Sequence, residues 1–185
     1  MIYQAQEFTL KNGLKVVVKT PEKSDARGLL QNIIDISATT DFITSLPEDY
    51  QVYLDDISKE ETFIENNRNS GEAYLFAVYL DGVIIGNSIL NFYHQVKTKH
   101  RGSIGIAVNK DYRGMGIGSL LFDIMIEIAK NRPGVTQLEL SVMKDNVIAK
   151  RLYSSKGFVK TGEHPHELRL IDGTYLDGET MVLFL

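Results

Sequence analysis

Two pairs of apolar-rich runs in the first half of the chain predict β-hairpins. Residues 8–11 and 14–19 flank an Asn-Gly pair, and residues 74–80 and 83–90 flank an Asp-Gly pair. Both dipeptides tolerate the positive φ angles that two-residue hairpin turns require.

Helical periodicity separates the two hairpins. Leu29, Leu30, Ile33 and Ile34 recur at the spacing of one helix face. The run from Ser58 to Glu61 has the pattern of a capping box, so we expect a second helix to begin there.

The second half alternates strand and helix patterns. Residues 103–108 form a short apolar run, followed by a glycine-rich stretch and by a helix with one apolar stripe, then by alternating residues 138–142. Asn146 is a suitable N-cap for a helix over residues 147–156, and Gly157 is the expected residue after its end. An apolar strand over 181–185 closes the chain. The order predicts a single α/β domain over residues 1–185, built on a mixed sheet.

Composition narrows the classes of function. The chain has 185 residues, a net charge of −4 and no cysteine. These values argue against a basic nucleic-acid-binding surface and exclude disulfides, thiolate metal sites and a cysteine nucleophile. The four histidines are scattered, so we predict no metal. No signal peptide and no membrane-spanning run is visible, so we expect a cytoplasmic protein without membrane contacts.

A glycine-rich stretch carries the clearest chemical signal. It consists of Arg113, Gly114, Met115, Gly116, Ile117, Gly118 and Ser119. Glycines between a strand and a helix leave the backbone amides uncovered, and the helix N-terminus attracts anions. Arg113 adds a permanent charge suited to phosphate. The stretch therefore predicts a phosphate or pyrophosphate site, whereas its simpler interpretation is a tight turn.

Two familiar nucleotide-binding motifs do not match this stretch. A P-loop requires Gly-Lys-Ser/Thr, but Gly118 is followed by Ser119 and Leu120. A dinucleotide fingerprint has the spacing G-x-G-x-x-G, whereas the spacing here is G-x-G-x-G. A domain that binds ATP or NAD through this loop is therefore the weakest of the functional alternatives.

Two blocks of the chain together resemble the GNAT superfamily of acetyltransferases. Val108 followed by Arg113-x-x-Gly116-x-Gly118 resembles its acetyl-coenzyme A signature, and the run from Asn146 through Ala149 and Tyr153 to Gly157-Phe158 resembles its second conserved block. Residues 172–175 are loosely similar to the RimJ/RimL-like branch.

The resemblance implies a fold and a cofactor site. It implies a mostly antiparallel twisted sheet, flanked by helices, in which two central strands splay apart in a V. Acetyl-coenzyme A would pair with the backbone of Ile106, Ala107 and Val108, place its pyrophosphate on the glycine-rich stretch, and contact Asn146 and Ala149.

The resemblance also implies direct acetyl transfer to an amine. Tyr153 would be the general acid that protonates the leaving thiolate, although packing is its simpler role. Ser103 stands where many relatives carry a glutamate base. Glu72, His100 and His166 remain candidates for the base, as does a chain of water molecules.

Several alternatives stay open. One interpretation is an N-acetyltransferase whose acceptor is a small-molecule amine or a protein N-terminus. The other is a non-catalytic module that binds coenzyme A.

Three further features of the sequence each allow two interpretations. Acidic residues between 49 and 61 would suit a cationic acceptor, but they are more typical of a solvated helix start. A basic cluster over residues 97–101 is either a solvated loop or a contact for phosphate or an acidic substrate. The C-terminal strand, residues 182–185, either pairs with a second copy in a homodimer or lies in the core.

Overall fold

The computed structural model describes residues 1–185, which form eight strands and five α-helices. The strands are β1 (Gln6–Thr9), β2 (Lys15–Lys19), β3 (Ala73–Leu80), β4 (Val83–Phe92), β5 (Arg101–Val108), β6 (Gln137–Met143), β7 (Val159–Arg169) and β8 (Tyr175–Phe184). The helices are α1 (Ala26–Ser37), α2 (Pro47–Gln51), α3 (Ser58–Asn69), α4 (Ile117–Lys130) and α5 (Val147–Ser155).

All eight strands belong to one open sheet in the order β1-β2-β3-β4-β5-β6-β8-β7. The pair β5 and β6 is parallel, and the hairpin pairs and the pairs made by β8 are antiparallel. A parallel pair requires a crossover, which α4 supplies between β5 and β6. The predicted mixed, mostly antiparallel α/β fold is therefore confirmed.

The chain divides into two compact units. One contains Met1–Asn91 and Gly105–Leu121, and the other contains Phe92–Ile104 and Phe122–Leu185. In the first unit, helices α1 and α3 pack on the β3–β4 hairpin. Its core cluster consists of the buried residues Ala26, Leu29, Ile64, Leu75, Ala77, Tyr79 and Ile84.

The core of the second unit contains a group of three aromatic rings. The Phe122 ring on α4 lies 5.1 Å from the Tyr153 ring on α5 and 5.6 Å from the Phe158 ring, measured between centroids. Leu138, Leu140 and Val142 on β6 are buried, while Glu139 and Ser141 are more exposed. This alternation gives β6 one apolar face and one polar face, as its sequence pattern predicted.

The structure confirms both hairpins and the helices predicted around Leu29, after the glycine-rich stretch and after Asn146. The predicted capping box at Ser58 is wrong. Ile57 is the N-cap residue of α3 without a side-chain cap, and the Glu61 carboxylate instead pairs with Lys23 at 3.2 Å. Strand β7 includes residues 159–167, for which no strand was predicted.

The C-terminal strand has neighbours on both sides. Residues of β8 pair with β6 along one edge and with β7 along the other. The pairing with β7 ends at Val182, whereas Leu183 and Phe184 pair with β6 alone. Val182 therefore lies inside the sheet, and pairing of the last residues with a second copy stays a prediction. No helix is long and apolar enough to span a membrane.

Candidate active site

The glycine-rich stretch forms an uncovered turn that leads into α4. Gly114 and Gly116 have φ angles of +77° and +96°, in the left-handed region that favours glycine. A Cβ atom built at either position would meet no heavy atom within 4 Å. The first helical hydrogen bond runs from the Leu120 amide to the Gly116 carbonyl at 2.9 Å. The amides of Ile117, Gly118 and Ser119 precede it, so they have no acceptor within the helix and are available to an anion.

Arg113 connects this turn to the end of β5. Its Nε donates to the Val108 carbonyl oxygen at 3.0 Å, and its Nη2 lies 3.4 Å from the Thr39 hydroxyl oxygen. The side chain is exposed, so its remaining N–H groups can bind an anion. Arg113 therefore fits the predicted phosphate contact and also fixes the strand end.

Strand β5 has an unpaired backbone edge beside this turn. Its pairing with β6 covers only residues Arg101 to Ser103. The Asn109 amide donates to the Ile85 carbonyl on β4, so the alternating backbone directs the polar groups of Val108 and Ile106 away from β4. The Val108 carbonyl already accepts a hydrogen bond from Arg113 Nε. The Ile106 amide and carbonyl and the Val108 amide remain available to an extended ligand, whereas Ala107 directs its polar groups toward β4.

Asn146 has a structural role at the start of α5. Its side-chain oxygen accepts the Ala149 amide at 3.2 Å, which caps the helix as predicted. The side-chain oxygen is therefore occupied, and the amide nitrogen is the group that could donate to a ligand. Ala149 is partly buried and adds only a methyl group at this end of the helix.

Tyr153 is the buried residue of α5, with 8% of its surface exposed. Its ring packs against the Phe122 and Phe158 rings. Burial raises the pKa of its phenol to about 12, without a hydrogen bond or charge contributing to the shift. The hydroxyl is therefore protonated at physiological pH and can donate a proton, so both the packing role and the acid role are compatible with its position.

A polar cluster, which we call the β5–β6 cluster, lies where the two strands stop pairing. It consists of Tyr93, Arg101, Ser103 and Glu139. Ser103 and Glu139 are partners on the last pair of the ladder. The Glu139 carboxylate accepts the Tyr93 hydroxyl at 2.7 Å and the Arg101 Nε at 3.0 Å. Tyr93 and Glu139 were not predicted as site residues from the sequence, because only the tertiary structure places them next to Ser103.

The predicted basic cluster is not uniformly solvated, and the candidate bases are dispersed. Arg101 is paired with Glu139, whereas Lys97 and Lys99 are exposed. His166 lies on β7 with a φ of +57°, and its ring stacks on the Tyr175 ring at 4.3 Å. The His100 carbonyl accepts the Thr136 amide at 2.8 Å. Neither histidine belongs to the β5–β6 cluster.

Comparisons with known proteins agree with this geometry. Residues 37–158, about two thirds of the chain, match the family model for the acetyltransferase (GNAT) family. The chain is 26% identical over 164 residues to an N-alpha-acetyltransferase of Saccharolobus solfataricus, which covers 83% of this chain and 84% of that protein. It is 29% identical over 102 residues to the L-amino acid N-acetyltransferase AaaT of Escherichia coli, and the matched segment covers 55% of this chain and 62% of that enzyme.

A solved structure has the same fold over nearly its whole length. The crystal structure of an acetyltransferase of the GNAT family from Streptococcus pneumoniae superposes with a TM-score of 0.83 at 27% identity, covering 92% of this chain and 99% of that one. Enzymes of this family use acetyl-coenzyme A as the acetyl donor. The uncovered glycine turn and the unpaired edge of β5 fit such a ligand, and with the matched family model they identify this chain as a member of the acetyltransferase (GNAT) family.

Proposed function

We propose that this protein transfers the acetyl group of acetyl-coenzyme A directly to a primary amine, in a ternary complex and without an acyl-enzyme. The observation that carries the proposal is the turn at Gly114 and Gly116, which leaves the space above both residues open at the start of α4. Backbone amides at a helix N-terminus bind phosphate, and acetyl-coenzyme A carries a pyrophosphate.

Residues around this turn would bind the donor. Gly114 to Ser119 would hold the pyrophosphate through their amides, and Arg113 would add its charge. The free polar groups of Ile106 and the Val108 amide would pair with the pantetheine arm as an added strand does. The Asn146 amide nitrogen would donate to the same arm, and the small Ala149 would leave room for it.

Acetyl-coenzyme A supplies the activated acetyl group, and the protein supplies a proton donor and an acceptor. Tyr153 remains protonated because burial raises its pKa to about 12. It would therefore give its proton to the leaving thiolate. The chain has no cysteine that could carry an acetyl group, which is compatible with direct attack by the amine.

The acceptor would carry an α-amine. The two relatives are named as an L-amino acid N-acetyltransferase and an N-alpha-acetyltransferase, and both names describe acetylation at an amine. We therefore propose a free amino acid or a protein N-terminus as the class of acceptor.

Calorimetric titration with acetyl-coenzyme A tests the donor site. We expect saturable binding near one site per chain and its loss in Gly116→Glu. Gly173→Glu is the matched control, because Gly173 also has a positive φ and open space but lies in the turn before β8. No binding by the folded wild type up to about 1 mM acetyl-coenzyme A would contradict the proposal.

Thiol release in the presence of L-amino acids and short peptides then tests the reaction. Because the chain has no cysteine, a thiol reagent reports only the coenzyme A that is set free. Release that depends on the amine supports acetyl transfer. Binding without release for any amine of the panel would instead favour the non-catalytic coenzyme A-binding module.

A further inference from the structure

The β5–β6 cluster lies at a defined point of the sheet. Arg101 to Ser103 on β5 pair in parallel with Gln137 to Glu139 on β6, and the pairing ends there. Ser103 and Glu139 are therefore opposite each other, with their side chains on the same face. That face of β6 is the polar one, and both residues are partly exposed there.

The hydrogen bonds of this cluster converge on the Glu139 carboxylate. The Tyr93 hydroxyl donates to Glu139 Oε1 at 2.7 Å. The hydrogen bond to Glu139 and burial raise the pKa of the Tyr93 phenol, and the nearby Ser103 hydroxyl acts in the opposite direction. Ser103 therefore lies opposite Glu139 and beside the Tyr93 hydroxyl, which itself donates to that carboxylate, so the three side chains line a path from Ser103 to Glu139.

Arg101 fixes the end of this path. Its Nε and Nη2 both donate to Glu139 Oε2, so Oε1 remains for Tyr93. The Arg101 guanidinium also lies 5.4 Å from the centre of the Tyr93 ring. Glu139 and Arg101 are the charged groups in contact with Tyr93, and the Glu139 side chain is 14% exposed, which lets it exchange a proton with solvent.

We propose that Ser103, Tyr93 and Glu139 relay the proton that the acceptor amine loses during acetyl transfer. This inference rests on the proposed function. As nitrogen bonds to the acetyl carbon, an N–H bond breaks and leaves its electron pair on nitrogen. The proton passes to Ser103 Oγ, the Ser103 proton passes to Tyr93 Oη, and the Tyr93 proton passes to Glu139 Oε1. Glu139 then loses that proton to solvent.

The chemistry suits a weak base such as a carboxylate beside an arginine. A free ammonium holds its proton tightly, but the nitrogen becomes strongly acidic once it has bonded to the acetyl carbon. A serine hydroxyl alone is a poor final acceptor, because it has little basicity at neutral pH. The path through Tyr93 gives Ser103 access to a carboxylate, which the neighbouring strand supplies.

Tyr93→Phe is the decisive variant, because it interrupts the path and leaves the Arg101–Glu139 pair intact. We expect kcat for an amine acetylated by the wild type to fall about 100-fold at pH 7, which is the usual range for general base catalysis. The loss should become smaller toward pH 9, where hydroxide can take the proton from the attacking nitrogen in place of the relay. The Kd for acetyl-coenzyme A should stay within about twofold of the wild type, because the variant changes the chemical step and not donor binding.

Tyr175→Phe is the matched control. Tyr175 is also an exposed tyrosine with an arginine over its ring, since Arg169 lies 5.8 Å from its centre, but it is on β8 and outside the cluster. It should retain wild-type activity. Adding Glu139→Gln to Tyr93→Phe should cause little further loss of kcat, because both changes interrupt one path.

Two results would overturn the relay. One is wild-type kcat in Tyr93→Phe from pH 6.5 to 9, and the other is an equal loss of activity at every pH together with a lower melting temperature. A wild type that releases no thiol with any amine of the panel would refute the proposed function, and the relay with it. A wild type that turns over while Tyr93→Phe is unaffected would refute the relay alone.

Discussion

Arg113 Nε donates to the carbonyl oxygen of Val108 at 3.0 Å, so one side chain ties the glycine turn to the end of β5. The contact spans five residues and places the guanidinium beside the unpaired backbone edge of the strand. In the proposed donor site, the same side chain that orients the strand edge would also attract the anionic donor.

Arg113→Ala should lower the affinity for acetyl-coenzyme A about tenfold at low salt, and less at high salt, because exposed charges are screened. Arg113→Lys should recover only part of the loss, since lysine restores the charge but not the planar group that reaches Val108. Titration calorimetry at two salt concentrations measures both effects. Lys11→Ala removes one exposed positive charge elsewhere and should bind normally. Wild-type affinity in Arg113→Ala would contradict the donor site proposed here.

Gly116→Ala should weaken binding of acetyl-coenzyme A more than its effect on stability explains. The added methyl group meets no protein atom, so its cost to the fold is the positive φ, about 1–2 kcal/mol. Gly173→Ala has a φ of +89° and equally open surroundings, so it should lose similar stability. Urea unfolding and titration of both variants separate strain from binding. Equal affinities in the two variants would show that the space above Gly116 is not used by the donor.

Tyr153→Phe should lower kcat about 100-fold or more, as expected for loss of a general acid, while acetyl-coenzyme A affinity is retained. The stability should change by less than about 1 kcal/mol, because no hydrogen bond is lost with the hydroxyl.

Tyr79→Phe is the comparison variant, because we expect it to lower stability and to leave kcat unchanged. The Tyr79 hydroxyl donates to Asp25 at 2.8 Å, so its removal should destabilise the protein by about 1 kcal/mol and leave kcat unchanged. Thermal unfolding measures the stability of Tyr153→Phe and Tyr79→Phe, and thiol release measures their kcat. Full activity of Tyr153→Phe would leave Tyr153 with its packing role only.

Glu60 should make the protein less stable as the pH rises. Burial raises the pKa of its carboxyl from 4.5 to about 7, and its Oε1 has no hydrogen-bond partner. Because the folded pKa lies above the unfolded one, the wild type loses stability between about pH 4.5 and 7 and no further above that range. Glu60→Gln removes the titration. Since the side chain is partly exposed, we expect it to gain on the order of 1–2 kcal/mol over the wild type at pH 8.

Urea unfolding at pH 5 and pH 8 measures the difference. The gain of Glu60→Gln over the wild type should be markedly smaller at pH 5 than at pH 8. Glu65→Gln, an exposed change on the same helix, should show no such change with pH. A gain of Glu60→Gln that is the same at both pH values would contradict the raised pKa.

Local sequence patterns determined much of this protein. Asn-Gly and Asp-Gly predicted both hairpins, Asn146 predicted the start of α5, and the glycines from 114 to 118 predicted the open turn before α4. Each prediction depends on backbone preferences within a few residues, which a sequence contains directly. The capping box at Ser58 failed because Glu61 pairs with Lys23, a residue distant in sequence.

Only the tertiary structure decided how distant residues meet. The register of β5 against β6 places Ser103 opposite Glu139, and 36 residues separate them in the chain. A shift of that register by one residue would turn Glu139 to the other face, and no pattern near either residue reveals which register forms. Residues 159–167 of β7 were not predicted as a strand, because this exposed edge strand lacks apolar alternation. Its pairing with β8 is a tertiary contact that no local pattern shows. The proposed donor site could thus be predicted from the sequence, because it consists mainly of consecutive backbone. The proposed proton relay depends on contacts that exist only in the folded sheet.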